Sequence, residues 1–360
     1  MSRDDRFSSC SGRGTRRGVG AARALLVGAV LAMAACNVMP ASAAQPTHLF
    51  KVATIAPQGS TWMTLMEELD RRVRQETGGE VGFKFYPSGQ QGSDLDVLRK
   101  MRSGQIQGGG IAGVGLGEIE PSLRILELPF MFQASEEVAL AHQALDPIFA
   151  ERLRGRGFHL LGWADVGFVY LFSQSAVHTV EELRRQKVWL WEGDPLARTL
   201  FEQVGVTPIP LNITDVLTSL QTGIINTVYV TPYACLSLQW FTRVEYMVDL
   251  PLTYAIGAVV LDAKAYDRLG SAHKEILSRL AGEIFVRLNQ ATRAQNEESI
   301  AAMLEHRMQR AEPAPAAVTE FKEIGKRVWQ TLAGDLYEPE LLERLTRVLD
   351  DARLAQGSVR

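Results

Sequence analysis

The sequence predicts an α/β fold in two lobes, joined by crossing strands and spanned by one long helix, and three observations predict it. Strand and helix patterns alternate along the chain from His48. Two β-rich stretches, Phe158–Phe172 and Leu252–Asp262, are long enough to pass from one lobe to the other. A helical pattern then runs from about Ala272 to Arg310, broken only by Gly282, and would reach roughly 50 Å, more than one small lobe needs.

Each element has a local reason. Phe50, Val52 and Thr54 alternate within His48–Ala56, which is a strand signal. Pro57-Gln58-Gly59-Ser60 ends it, and Ser60 is placed to cap a helix on which Trp62, Met63, Met66, Leu69 and Val73 recur at helical spacing. Gly78-Gly79 stops that helix. Val81–Tyr86 is a strand, Asp94–Arg102 a helix and Gln105–Ala112 a strand, which together make a βαβαβ unit with a parallel sheet. A second such unit follows the first crossing. Val180–Arg185, Pro195–Val204 and Thr214–Gln221 are its helices; Lys187–Trp191, Thr207–Leu211 and Ile225–Val230 are its strands. Glu312-Pro313-Ala314-Pro315 ends the long helix, and two amphipathic helices, about Val318–Leu332 and Glu338–Leu354, close the chain. Residues 45–166 with 252–290 are thus expected to form lobe I, and 167–251 with 291–360 lobe II with the C-terminal helices. Ligands of such folds sit beyond the strand C-termini, in the crevice at the hinge.

Residues 1–44 read as a secretory leader. Arg13, Arg16, Arg17 and Arg23 precede an apolar run, Ala24–Ala35, too short for a stable membrane-spanning helix, and Ala41-Ser42-Ala43 offers a cleavage site. Met33-Ala34-Ala35-Cys36 resembles a lipoprotein signal, which makes Cys36 a lipidation candidate. Either way the mature protein is expected in the periplasm, and Cys235 leaves no disulfide framework. A net charge of −3, with no basic run carrying interleaved aromatics, gives nucleic acid nothing to hold.

Enzyme signatures fail in turn. There is no G-x-S-x-G elbow, Walker loop, HExxH or zinc spacing, so no catalytic residue, metal or cofactor is assigned. Gly110, Gly113, Gly115 and Gly117 imitate a dinucleotide fingerprint, but Glu118 stands where the third glycine belongs. A loop in which the backbone approaches a ligand or another segment is the plainer account. The pairs Glu67-Glu68 and Glu136-Glu137 diverge on helices and read as solvated faces.

Several motifs resemble, in type and spacing, those of the DctP-type substrate-binding proteins of TRAP (tripartite ATP-independent periplasmic) transporters, over roughly His48–Gln309. They are KVATIAPQGSTWM from Lys51, FKFYPSGQQGSDLDVLRKMRSGQIQGGGI from Phe83, LELPFMF from Leu126, EELRRQKVWLW from Glu181, PLNITDVLTSLQTGIIN from Pro210 and VDLPLTYAIGAVVLDAKAYDRL from Val248. The resemblance implies a type II-like periplasmic binding protein fold, a small-molecule ligand, no enzymatic activity, and delivery to membrane permease subunits.

The departures from that family pattern bear on the ligand. The family's Lys-Ile-Arg-Val-Pro strand, whose arginine grips a ligand carboxylate, reads Lys187-Val188-Trp189-Leu190-Trp191 here. An indole offers one N–H and a large apolar face where a guanidinium would pair a carboxylate bidentately. An apolar or weakly acidic ligand is therefore expected, bound by residues drawn from Gln58, Trp62, Phe168, Tyr170, Trp189, Trp191, Tyr229 and Trp240. The Trp-Leu-Trp strand is similar to that of a family subgroup with a helical-repeat periplasmic partner. Plainer roles stay open: core packing for the tryptophans, hinge packing for Phe168 and Tyr170, an ordinary helix cap around Gln58. A conventional organic acid would need Arg124, Lys187 or Arg243 as a relocated cation. A lipid-tethered protein-docking module would need the tryptophans on an outer surface.

Overall fold

The computed structural model of the protein describes residues 45–357; residues 1–44, expected to be a leader and including Cys36, lie outside them. The first sheet starts with β1 (His48–Thr54), α1 (Thr61–Glu76), β2 (Val81–Tyr86), α2 (Asp94–Arg102) and β3 (Gly108–Ala112). Ser60 caps α1, its hydroxyl accepting from Met63 N, and Ser93 with Asp96 forms a capping box on α2. β1 pairs in parallel with β2 and β3, as a βαβαβ unit requires.

After α3 (Gly113–Ile119) and the 3-10 segment Pro121–Glu127 comes the long α4 (Ser135–Gly155). The first crossing follows. β4 (Phe158–Trp163) belongs to the first sheet and β5 (Gly167–Ser173) to the second, so the single β-rich stretch read from the sequence is two strands with Ala164–Val166 between them.

The second region holds α5 (Val180–Arg184), β6 (Trp189–Trp191), α6 (Pro195–Val204), β7 (Ile209–Leu211), α7 (Val216–Thr222), β8 (Thr227–Val230), α8 (Pro232–Ser237) and β9 (Tyr246–Val248). β6 and β7 pair in parallel, and Val188 bridges Thr227 in parallel. β5 runs antiparallel to β8 and β9, so the second sheet is mixed where a parallel one was expected.

The return crossing passes from β10 (Thr253–Ala255), on β5, to β11 (Gly257–Asp262), which sits between β3 and β4. Ile256 is the joint. After α9 (Ala263–Asp267), α10 (Ser271–Glu305) packs on α1 and β4 and, further along, on β5 and α8, so it does span both sheets. It passes Gly282 without a break. It also ends earlier than the pattern suggested, because Gln309–Ala311 forms β12 in parallel with β9 and buries Ala311.

The closing helices diverge. α11 (Pro315–Leu332) packs on α6, whereas α12 (Pro339–Gly357) packs on α4. There Arg353 donates to both carboxylate oxygens of Glu137 at 2.7 and 2.9 Å. Glu137 is buried and is not on a solvated face; a partner remote in sequence neutralises it. Among the described residues, no helix is long and apolar enough to cross a membrane.

Candidate functional site

The strand ends that face a binding crevice in such sheets are Thr54 of β1 and Ala112 of β3, with Trp191 of β6 and Val230 of β8 from the second region. Two structures meet there, one aromatic and one ionic.

The aromatic one is centred on Trp189. Its ring lies 5.8 Å from Trp191, 5.3 Å from Tyr229 and 5.2 Å from Trp240, the last edge-on. Trp189 and Trp240 are fully buried, and the Trp189 indole N–H donates to Leu211 O at 3.0 Å. Trp191 and Tyr229 are half-buried and form the outer part of the cluster; the Tyr229 hydroxyl accepts from Trp191 N at 3.2 Å. Burial, with the charge of Asp194 next in size, pushes the Tyr229 phenol well above its ordinary pKa, so it stays neutral.

The ionic one is Arg124, Glu127 and Asp194. Arg124 Nε donates to Glu127 Oε2 at 2.5 Å and its Nη2 to Asp194 Oδ1 at 2.9 Å, all three side chains being less than a tenth exposed. Burial alone would lower the arginine pKa; Asp194 and Glu127 outweigh it and raise it. Burial raises that of Glu127. Asp194 caps α6, accepting also from Leu196 N and Ala197 N. Glu127 Oε1 accepts from Ile256 N at 3.0 Å, at the return crossing.

The glycine run explains how these charges reach the strand ends. A Cβ on Gly113 would lie 2.1 Å from Glu127 Oε1, and one on Gly117 would lie 2.9 Å from the Arg124 side chain. The segment is a helix and not the loop expected. Gly113 and Gly117 are gaps for a salt-bridge network, whereas Gly115 makes room for Ile111 and Asp94.

The other expected site residues scatter. Trp62 covers Gly110 of β3, where a Cβ would meet its ring at 2.9 Å. Phe168 stands edge-on to Tyr254 at 5.0 Å, and Tyr170 is half-buried on β5 opposite Val230 of β8. Gln58 is exposed; its amide donates to Glu67 and its backbone to Ser88 Oγ. Of the cations considered, Lys187 is exposed and donates to Gly223 O, and Arg243 is exposed. None of the six tryptophans is exposed, which removes the footing of the docking-module reading. Sequence reading missed Asp194 and Glu127 altogether; an aspartate just before Pro195 signals no more than a helix cap.

With this geometry in place, comparison with known proteins is decisive at the level of family. The model of bacterial extracellular solute-binding protein, family 7 (DctP), matches residues 52–335. The chain belongs to this family. Among curated relatives, a 2,3-diketo-L-gulonate-binding periplasmic protein of Escherichia coli is 24% identical over 59% of this chain and 65% of its own length. An uncharacterised protein of Salmonella typhimurium is 26% identical over 44% of this chain and 49% of its own length, so the match spans about half of that relative. Among solved structures, a TRAP periplasmic solute-binding protein from Ochrobactrum anthropi, with its C-terminus bound in the ligand pocket, aligns with a TM-score of 0.77 at 22% identity, covering 85% of this chain and 95% of that one. Another from Xanthobacter autotrophicus, with bound β-D-galacturonate, aligns with a TM-score of 0.75 at 15% identity, covering 83% and 98%. The fold is thus the two-lobed one of DctP-family solute-binding proteins, and family and fold alike are those of receptors.

Proposed function

We propose that the protein is the periplasmic solute receptor of a TRAP-type secondary transporter, capturing a small apolar or weakly acidic molecule between its lobes and handing it to membrane permease subunits. Residues 45–166 with 257–290 serve as one lobe and 167–255 with 291–332 as the other; α12, expected with the second lobe, packs instead on α4 of the first, and β10 belongs to the second sheet. The observation that carries the ligand class is the Trp189-Leu190-Trp191 strand, whose outer end carries the half-buried Trp191 and Tyr229, with the nearby Arg124 already paired to Glu127 and Asp194. Apolar contact there is worth about 25 cal/mol per Å² removed from water. A carboxylate brought to the same wall would lose its hydration with no free guanidinium to replace it. Ligand acts by favouring the closed arrangement of the lobes, which is the form the permease reads.

Relatives whose names record an acid, such as the diketogulonate-binding protein, set the contrast. Native mass spectrometry of protein purified from its host tests the reading. The expected co-purifying compound is neutral or weakly acidic and predominantly apolar, released unchanged. A tightly held anionic sugar or dicarboxylate would overturn it.

A further inference from the structure

The geometry points to Asp194 as the residue that sets ligand class, by occupying Arg124 with a carboxylate of the protein's own. This deepens the receptor reading and rests on it. Arg124 is the only lysine or arginine that is buried among the described residues, and it stands where the ends of β3 and β6 approach. Glu127 reaches it beneath Gly113, the first residue past β3, and Asp194 reaches it from just past Trp191, the last residue of β6.

A carboxylate binds guanidinium best through two parallel N–H···O bonds along one edge. The edge formed by Nε and Nη2 is divided between Glu127 and Asp194, so the N–H groups left on Nη1 and Nη2 lie beside two carboxylates. The network holds one positive group against two acids, so it offers an incoming anion no unpaired positive charge. The two acids do different work. Glu127 also holds Ile256 N at the return crossing, so it belongs to the hinge. Asp194 engages only Arg124 and the first turn of its own helix, so its charge is dispensable to the backbone. Without it, Nη2 would be freed and Arg124 left with one acid in place of two, open to a ligand carboxylate, and the receptor would accept acids.

The side chain lost in Asp194→Gly has the size and charge of acetate, and glycine at a helix cap costs only a few tenths of a kcal/mol relative to aspartate. The test is thermal unfolding of wild type and Asp194→Gly in sodium acetate against sodium chloride at equal ionic strength. Acetate is expected to stabilise the variant over chloride, with apparent binding about tenfold or more tighter than to wild type. Equal response to the two salts in the folded variant overturns the proposal. Asp194→Ser, a good cap too short to keep the ion pair, repeats the test should glycine prevent folding. Wild type supplies a second readout: paired carboxylates and their primary amides (benzoate with benzamide, phenylacetate with phenylacetamide) are compared by thermal shift. Absence of any carboxylate-specific stabilisation supports the proposal; a carboxylate that outperforms its amide overturns it, whether or not the variants fold. Failure of the apolar reading looks different: a neutral but strongly polar solute would co-purify while acetate rescue persisted. Failure of the Asp194 assignment would leave an apolar ligand in place and no rescue.

Discussion

The chain crosses between its sheets twice, and the two crossings are held by different means. The first, Ala164–Val166, is tied to the bridging helix by neutral amides. Asn289 Oδ1 accepts from Asp165 N at 3.1 Å, and Asn296 Nδ2 donates to Val166 O at 2.9 Å while its oxygen accepts from Tyr233 N. One titratable cluster adds to it. His142 Nδ1 lies 3.0 Å from Asp146, its Nε2 lies 3.5 Å from Asp165 Oδ1, and the Tyr254 hydroxyl donates to Asp165 Oδ2. The second crossing, at Ile256, hangs on Glu127 and through it on Arg124 and Asp194. The crossings also bond to each other, through Ala164 N to Gly257 O and Val166 N to Ala255 O. With the ligand wall proposed above, the difference teaches where ligand chemistry can enter: through the second crossing, whose ion network ends at Asp194 three residues past Trp191, and not through the first.

The largest expected effect breaks the second crossing. Arg124→Met leaves two buried acids unpaired and should cost on the order of 3–5 kcal/mol in urea unfolding. A loss below about 1 kcal/mol would mean the ions are not what holds Ile256.

The next effect belongs to the first crossing and depends on pH. Burial lowers the His142 pKa, but hydrogen bonds and charges from Asp146 and Asp165 outweigh it and raise the value to about 9 from 6.5. Protonated His142 therefore stabilises the fold fully below about pH 6.5, and the contribution, up to about 3 kcal/mol, is lost as pH rises through about 9. Unfolding free energies at pH 6 and pH 9.5 should show that fall, and His142→Gln should flatten it. An equal fall in the variant would place the titration elsewhere.

Asn296→Ala should cost about 2 kcal/mol, since Tyr233 N and Val166 O lose their partner together. Its effect on ligand affinity should be slight, in contrast with substitutions around Arg124. The smallest effect sharpens the contrast from outside both crossings: Lys187→Ala, at an exposed cation that donates to Gly223 O, should stay within about 0.5 kcal/mol and leave binding unchanged by calorimetry.

Much of the fold was legible because local signals agree with the architecture. Pro57 and Ser60 end one element and cap the next, the two β-rich stretches do pass between sheets, and the long helix does span them. The limits of legibility are equally physical. Glu137 looked solvated because its partner, Arg353, lies far along the chain. Trp189 and Trp191 share a strand face, and alternation cannot say whether that face meets core or crevice; the fold buries the first fully and leaves the second half-buried. Gly113 and Gly117 look like a nucleotide loop until the side chains that fill their missing Cβ positions are seen.

The sequence by itself determined the opening βαβαβ unit, the two crossings, the long helix and the family, because turn chemistry, periodicity and motif spacing act over a few residues at a time; α4, α8, β9 and β12 were not read from it. Only the tertiary structure decided which charges meet. Arg124 and Asp194 are distant in sequence and have no mutual signal in it; their pairing exists because the 3-10 segment Pro121–Glu127 and the cap of α6 are brought together near the ends of β3 and β6. An ion pair depends on distance in space, and that distance is set by every strand and helix between its members.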